Sequence, residues 1–178
     1  MRDVKPEEIH RLFYPVIPSV VASRHSGRVG ALLAIPSTLS FNPPMVGVSL
    51  NPRTSTYGLV DKSGMFSICL VSYQHADKLA RLAEHVPEVE DKLVWAGFQH
   101  VAGKVLPVPV LAEAIAVMEC SVAWSRMVGD HTLFVAEVRA AYADEDFEGY
   151  WHFNRYRPVF YVGKSRRYGE SYVSLDLR

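Results

Sequence analysis

No stretch of this chain reaches the roughly 18 apolar residues that a membrane span needs, and its first eight residues, Met1 to Glu8, contain no apolar signal region. A soluble cytoplasmic protein without a membrane partner is the expectation. Net charge is absent too. Nineteen basic and nineteen acidic side chains cancel, so no overall field gathers nucleic acid or pins the chain to an anionic surface. Cysteine is scarce: Cys69 and Cys120 lie far apart in strand-like apolar runs, without CxxC spacing, and read as buried free thiols rather than a disulfide or a metal site. The usual catalytic signatures are missing as well, with no GxGxxG, GxxxxGK[ST], HExxH or GxSxG. Seven histidines are scattered without an i, i+4 pair, which leaves a metal enzyme with little support.

What is present is apolar material for one core. Apolar residues make up 49% of the 178, and one domain over residues 1–178 is the natural count. Residues 6–13 read as a short helix with Pro6, Glu7 and Glu8 in its first turn and Ile9, Leu12 and Phe13 on one face, an N-terminal helical cap (residues 1–14) over the core. Residues 16–23 and 29–35 read as strands around a polar turn at residues 24–28, and the second run breaks at Pro36. Further strands are expected at 45–50 and 65–71, helices at 54–61 and 74–84, and an irregular region at 86–103. Residues 117–124 and 132–140 follow as strands joined through residues 125–131, then a short strand at 158–162 and a C-terminal extension over 163–178. Six or more short antiparallel strands with modest helices predict a mainly β fold, a small barrel with α decoration.

Residues 40–60 carry the most chemical information. A strand bounded by Pro43-Pro44 and Pro52 runs directly into Arg53-Thr54-Ser55-Thr56, which offers one guanidinium fork, three hydroxyls and the free N–H groups of a helix start. That set suits a phosphate, although an ordinary N-cap beside an exposed arginine uses the same residue types. Gly129-Asp130-His131-Thr132 lies between two strands, where a barrel rim presents side chains to a ligand; glycine and aspartate are equally common as plain turn formers. The acidic run at residues 144–149 and the basic run Lys164-Ser165-Arg166-Arg167 read as solvated surface, with a salt-bridged subunit interface as an alternative.

Together these segments resemble the flavin reductase-like family of FMN-binding split barrels. The resemblance rests on their order: Pro15-Val16 through Ser23, Gly30, Ser40-Phe41-Asn42-Pro43-Pro44, the stretch from Val46 to Thr56, Ser63-Gly64-Met65-Phe66, Leu79-Ala80, Gly97-Phe98, Glu119-Cys120 and Gly129-Asp130-His131-Thr132-Leu133-Phe134. It implies a split β-barrel that forms a homodimer and holds FMN near the subunit interface. It implies that Leu32, Leu33, Ala34 and Ile35, the strand end Ser49, Leu50 and Asn51, and the helix start Arg53, Thr54, Ser55 and Thr56 surround the flavin and its phosphate. His131 is implied beside the isoalloxazine or an incoming nicotinamide. Two departures stand out: the family often carries hydroxyl residues where this chain has Leu32 to Ile35, and asparagine is common where Cys69 stands.

Hydride transfer from a nicotinamide to a flavin requires two stacked rings and donors near developing negative charge, with no nucleophile from the protein. That accounts for the missing signatures. The resemblance therefore implies an NAD(P)H-dependent oxidoreductase with His131 assisting, which passes electrons to free flavin, ferric iron or a partner such as a monooxygenase. A flavin-binding electron carrier that does not react with NAD(P)H is the alternative.

Overall fold

The computed structural model describes residues 1, 3–84, 86, 89–149, 151–153, 156–163 and 171–175. A 3₁₀ helix over Pro6–Phe13 leads into strands β1 (Ser19–His25), β2 (Arg28–Ala34), β3 (Ser37–Phe41) and β4 (Pro44–Leu50). Helix α1 (Ser55–Ser63), β5 (Met65–Val71), α2 (Ala76–Leu82) and α3 (Lys92–Ala96) follow, then β6 (His100–Ala102), β7 (Pro109–Leu111), β8 (Ala114–Val128), β9 (His131–Ala143), β10 (Phe160–Tyr161) and β11 (Tyr172–Val173).

Seven strands form one antiparallel sheet in the order β2-β1-β5-β8-β9-β4-β3. Its two edges, β2 and β3, are joined by Ile35-Pro36 alone. Six inter-strand gaps of about 4.8 Å would put the edges of a flat sheet about 29 Å apart, whereas three residue steps span at most about 11 Å. The sheet must curl until its edges approach, and the result is a barrel split between β2 and β3. Strand alternation then sorts the core. Val21, Val48, Leu50, Phe66, Ile68 and Phe134 fill the barrel with Val60 of α1, while Val20, Ala22, Cys69 and Val71 turn outward against Leu79, Leu82, Leu93 and Ala96 of α2 and α3.

Several turns follow directly from residue type. Ser26 (φ 49°) and Gly27 (φ 80°) are both left-handed, the backbone of a two-residue primed turn. Gly64 (φ 66°) ends α1. Cys69 and Cys120 are buried free thiols, and burial pushes them up to about 11 and about 12 respectively; neither is a reactive thiolate.

The structure departs from the sequence reading in four places. Residues 37–41 form a strand of their own, β3. β8 and β9 are 15 and 13 residues long and meet at a two-residue turn, Gly129-Asp130, not through a connection over 125–131. The N-terminal helix buries none of its residues: Ile9, Leu12 and Phe13 are exposed, so its apolar face does not cap this chain's core. Within the expected C-terminal extension, Tyr172 is a core residue and β11 pairs with β10. The acidic run at 144–149 is exposed; the basic run Lys164 to Arg167 lies outside the described residues. No helix among the described residues is long and apolar enough to cross a membrane.

Candidate functional site

β4 delivers its last residues to the site in alternation. Leu50 is 1% exposed and belongs to the barrel interior, so only its backbone faces the site region, while Ser49 points outward. Pro52 cannot extend the ladder, and the chain turns through the backbone bond from the Thr54 N–H to the Asn51 carbonyl at 3.0 Å and three local side-chain hydrogen bonds. Asn51 Oδ1 accepts the Arg53 N–H at 2.9 Å, Thr54 Oγ1 donates to the Asn51 carbonyl at 2.9 Å, and Thr54 Oγ1 accepts the Tyr57 N–H at 3.3 Å. Thr54 is therefore an N-cap, as the plainer of the two sequence readings had it. The remaining donors are the exposed Ser55 hydroxyl, the N–H groups of α1's first turn, which have no intrahelical partner, and the exposed Arg53. Thr56 is buried against β2, because Gly30 has no side chain there. A Cβ at Gly30 would lie 2.7 Å from Leu59 Cδ1 and 3.1 Å from Thr56 Oγ1.

These residues open onto a cavity of about 530 Å³ lined by Arg53, Thr54, Ser55, Thr56 and Leu32. Sequence order did not reveal the other cations on its wall. Arg28 opens β2, Lys62 sits in the last turn of α1 and Lys92 opens α3, with Glu84 the acid opposite them. They become neighbours through the curl of the sheet and the packing of α3 on β2, which no spacing rule reports. Burial pulls the Lys92 ammonium below its usual value.

A second cavity, about 1020 Å³, lies at the open end of β2 and β4. Leu33, Ala34, Ile35, Ser49 and His131 line it. Its far wall is aromatic: His10 and Tyr14 stand edge-on at 5.9 Å, Tyr14 and Tyr161 at 5.1 Å, and Tyr161 meets Tyr172 at 5.5 Å. His131 Nδ1 lies 2.8 Å from Asp130 Oδ1, in the turn that joins β8 to β9. Hydrogen bonding to His131, then the His131 charge, holds the Asp130 carboxyl below its usual value, with a further contribution from Arg53. Leu32 lines the first cavity and Leu33 the second, and Ser49 and Arg53 do the same in reverse at the end of β4, so the two cavities adjoin along these segments.

The predicted site residues divide between them: Leu32 and Arg53 to Thr56 on the cationic cavity, Leu33, Ala34, Ile35, Ser49 and His131 on the aromatic one, with Asn51 shaping the turn between. Residues 32–34 are the end of β2, an edge strand of the sheet. On the side of β2 away from β1, the Val29 N–H donates to the Glu90 carbonyl at 2.8 Å, and by the same alternation the backbone groups of Ala31 and Leu33 face away from β1. A cationic, hydroxyl-lined cavity beside a larger one with aromatic walls and an edge-strand rim fits a phosphate joined to a planar ring system. Among the described residues no three His, Cys, Asp or Glu side chains gather as metal ligands would.

A protein of Aeropyrum pernix described as uncharacterized is 40% identical over 97% of the chain, which spans 66% of that relative's length. The reductase component of a 4-nitrophenol 4-monooxygenase/4-nitrocatechol 2-monooxygenase from Rhodococcus opacus is 32% identical over 70% of the chain and 64% of its own length. An FMN-binding protein from Thermus thermophilus, solved with p-hydroxybenzaldehyde bound, superposes with a TM-score of 0.80 at 30% identity, covering 98% of this chain and 94% of that one. The flavin reductase like domain matches residues 10–159, and the chain belongs to that family of split-barrel flavoproteins.

Proposed function

We propose that this protein binds FMN with its phosphate at Arg53, Ser55 and the N-terminus of α1 and its ring in the aromatic cavity, and that it is an NAD(P)H-dependent oxidoreductase. The observation that carries this reading is the adjacency of the two cavities, one suited to an anion and the other to stacked rings. When bound, the flavin supplies the hydride-accepting centre. The chain's own part is to hold and orient. Arg53 and the α1 N–H groups fix the phosphate, and the free edge of β2 at Leu33 offers backbone groups to the ring's polar atoms. The aromatic wall excludes water, and His131, oriented by Asp130, faces the space left for a nicotinamide. Electrons then pass to a small-molecule or protein acceptor. Trp124, Met127 and Val128 on β8, each more than half exposed, together with Phe41 on β3 at 92%, offer the apolar surface for the homodimer.

The visible spectrum tests the reading first. Purified protein is expected to be yellow, or to turn yellow with added FMN, and anaerobic NADH or NADPH should bleach the flavin absorbance. Protein that binds no flavin overturns the proposal, and flavin that keeps its absorbance makes the chain a carrier and not a reductase. His131→Ala is expected to slow that bleaching in stopped flow by roughly tenfold or more, in the usual range for a positioned acid, base or donor, with a smaller change in FMN affinity. Equal effects on both would remove His131 from the nicotinamide side.

A further inference from the structure

The aromatic cavity carries acids where its neighbour carries bases. Its lining includes the carboxylates of Glu7 and Asp130 and, among the described residues, no lysine or arginine. Asp130 is engaged by His131 at 2.8 Å. Glu7 belongs to the far wall, in the first turn of the N-terminal 3₁₀ helix. Residues i and i+3 eclipse one another in a 3₁₀ helix, so Glu7 and His10 stand on one row, and both line the cavity. The neighbouring row holds Glu8 and Arg11, exposed and paired at 3.5 Å, so the arginine of this helix is engaged outside the cavity lining. His10 meets Tyr14 edge-on at 5.9 Å. The helix therefore presents a carboxylate beside two aromatic rings, and the whole set is offered to whatever enters past His131.

Resting on the flavin reading above, we propose that Glu7 selects the nicotinamide donor: it accepts hydroxyls from the adenosine ribose of NADH and repels the 2′-phosphate of NADPH, with the adenine against His10 and Tyr14. With the nicotinamide beside His131 and the flavin phosphate in the first cavity, the rest of the donor leaves along the aromatic wall toward the helix. A carboxylate suits a ribose because it accepts hydrogen bonds from its hydroxyls and has no proton of its own to place. It opposes a phosphate at the same position by like-charge repulsion, and discrimination of this kind comes as much from the partner repelled as from the one accepted. Glu7 is exposed, so water and salt weaken both effects.

The test uses the flavin-loaded full chain, titrated by calorimetry with NAD⁺ and NADP⁺, which differ only in the 2′-phosphate and do not reduce the flavin. NAD⁺ is expected to bind about tenfold more tightly at low ionic strength, the scale of one hydrogen bond to a charged group, and the advantage should shrink as salt is added. Glu7→Gln should cut that ratio severalfold, chiefly by tightening NADP⁺, and Glu7→Lys should reverse it, with FMN affinity unchanged in both. The KM values for NADH and NADPH should move in the same sense. Glu8→Gln, on the neighbouring row, should leave the ratio where it is. Equal or tighter NADP⁺ binding by the wild-type chain, a ratio unmoved in both Glu7 variants, or the same change in Glu8→Gln would overturn the proposal while leaving the flavin reading standing. A chain that binds flavin but neither dinucleotide also overturns it and is a carrier. Failure to bind flavin removes the flavin reading and the donor selection with it.

Discussion

Glu119→Ala is expected to lower the stability of the fold by about 3–5 kcal/mol, the cost of breaking a buried charged network. Glu119 is fully buried on β8, and its carboxylate accepts the backbone N–H groups of Lys104, Val105 and Leu106 at 2.6, 2.9 and 2.6 Å and the Tyr142 hydroxyl at 3.0 Å. Alanine would leave three backbone donors and a phenol without that acceptor. Gly103 belongs to the same device, because a Cβ there would lie 2.6 Å from the Leu106 carbonyl and 2.7 Å from Glu119 Cδ. Burial pushes the Glu119 carboxyl up, but the three N–H groups and Tyr142 outweigh it and hold it below the ordinary value of 4.5. A depressed carboxylate contributes stability above its unfolded value and loses that contribution as the pH falls through the folded one. Urea unfolding should therefore show a wild-type advantage that is full at pH 7 and shrinks below about pH 4.5 as Glu119 protonates. A loss under about 1 kcal/mol at pH 7, in the range of ordinary surface changes, would mean that the 103–106 segment stands without its anchor.

Arg53→Ala is expected to raise the dissociation constant for FMN by roughly tenfold, about 1.5 kcal/mol, the low end for a hydrogen bond to a charged group. The low end applies because Arg53 is exposed, so water screens its attraction for the phosphate. Arg53→Lys should recover only part of the loss, since a lysine keeps the charge without the planar fork. The same substitution should weaken riboflavin binding far less, which separates a phosphate contact from a general disturbance of the loop. If FMN and riboflavin weaken equally, Arg53 does not hold the phosphate.

The sequence made the strongly punctuated elements legible. β5 begins after Ser63-Gly64 and ends before Ser72, with five of its seven residues buried, and its limits could be read directly. β3 could not, because none of Ser37–Phe41 is buried and four of the five are exposed, so no apolar alternation marks it. Its position comes from pairing with β4. β7 is three residues long and shows only as a partner of β6. At the candidate site, Arg53 to Thr56 were visible because they are contiguous at a helix start. Arg28, Lys62 and Lys92 were not, since they lie on three elements brought together by the curl of the sheet and the docking of α3. The family pattern was legible from the order of short segments, while the aromatic wall of His10, Tyr14, Tyr161 and Tyr172 depends on the two chain ends meeting.

The strand order β2-β1-β5-β8-β9-β4-β3 also bears on assembly. β1–β2, β3–β4 and β8–β9 are hairpins that the chain can close locally, whereas β4 meets β9 through residues as distant in sequence as Leu50 and Thr132. Leu33, Ser49 and His131 come one from each hairpin. Their shared cavity exists only after all three have docked, so a ligand held there favours the fully assembled barrel over any partly joined one. A molecule bound by these three residues would thus act as a clasp across the three hairpins.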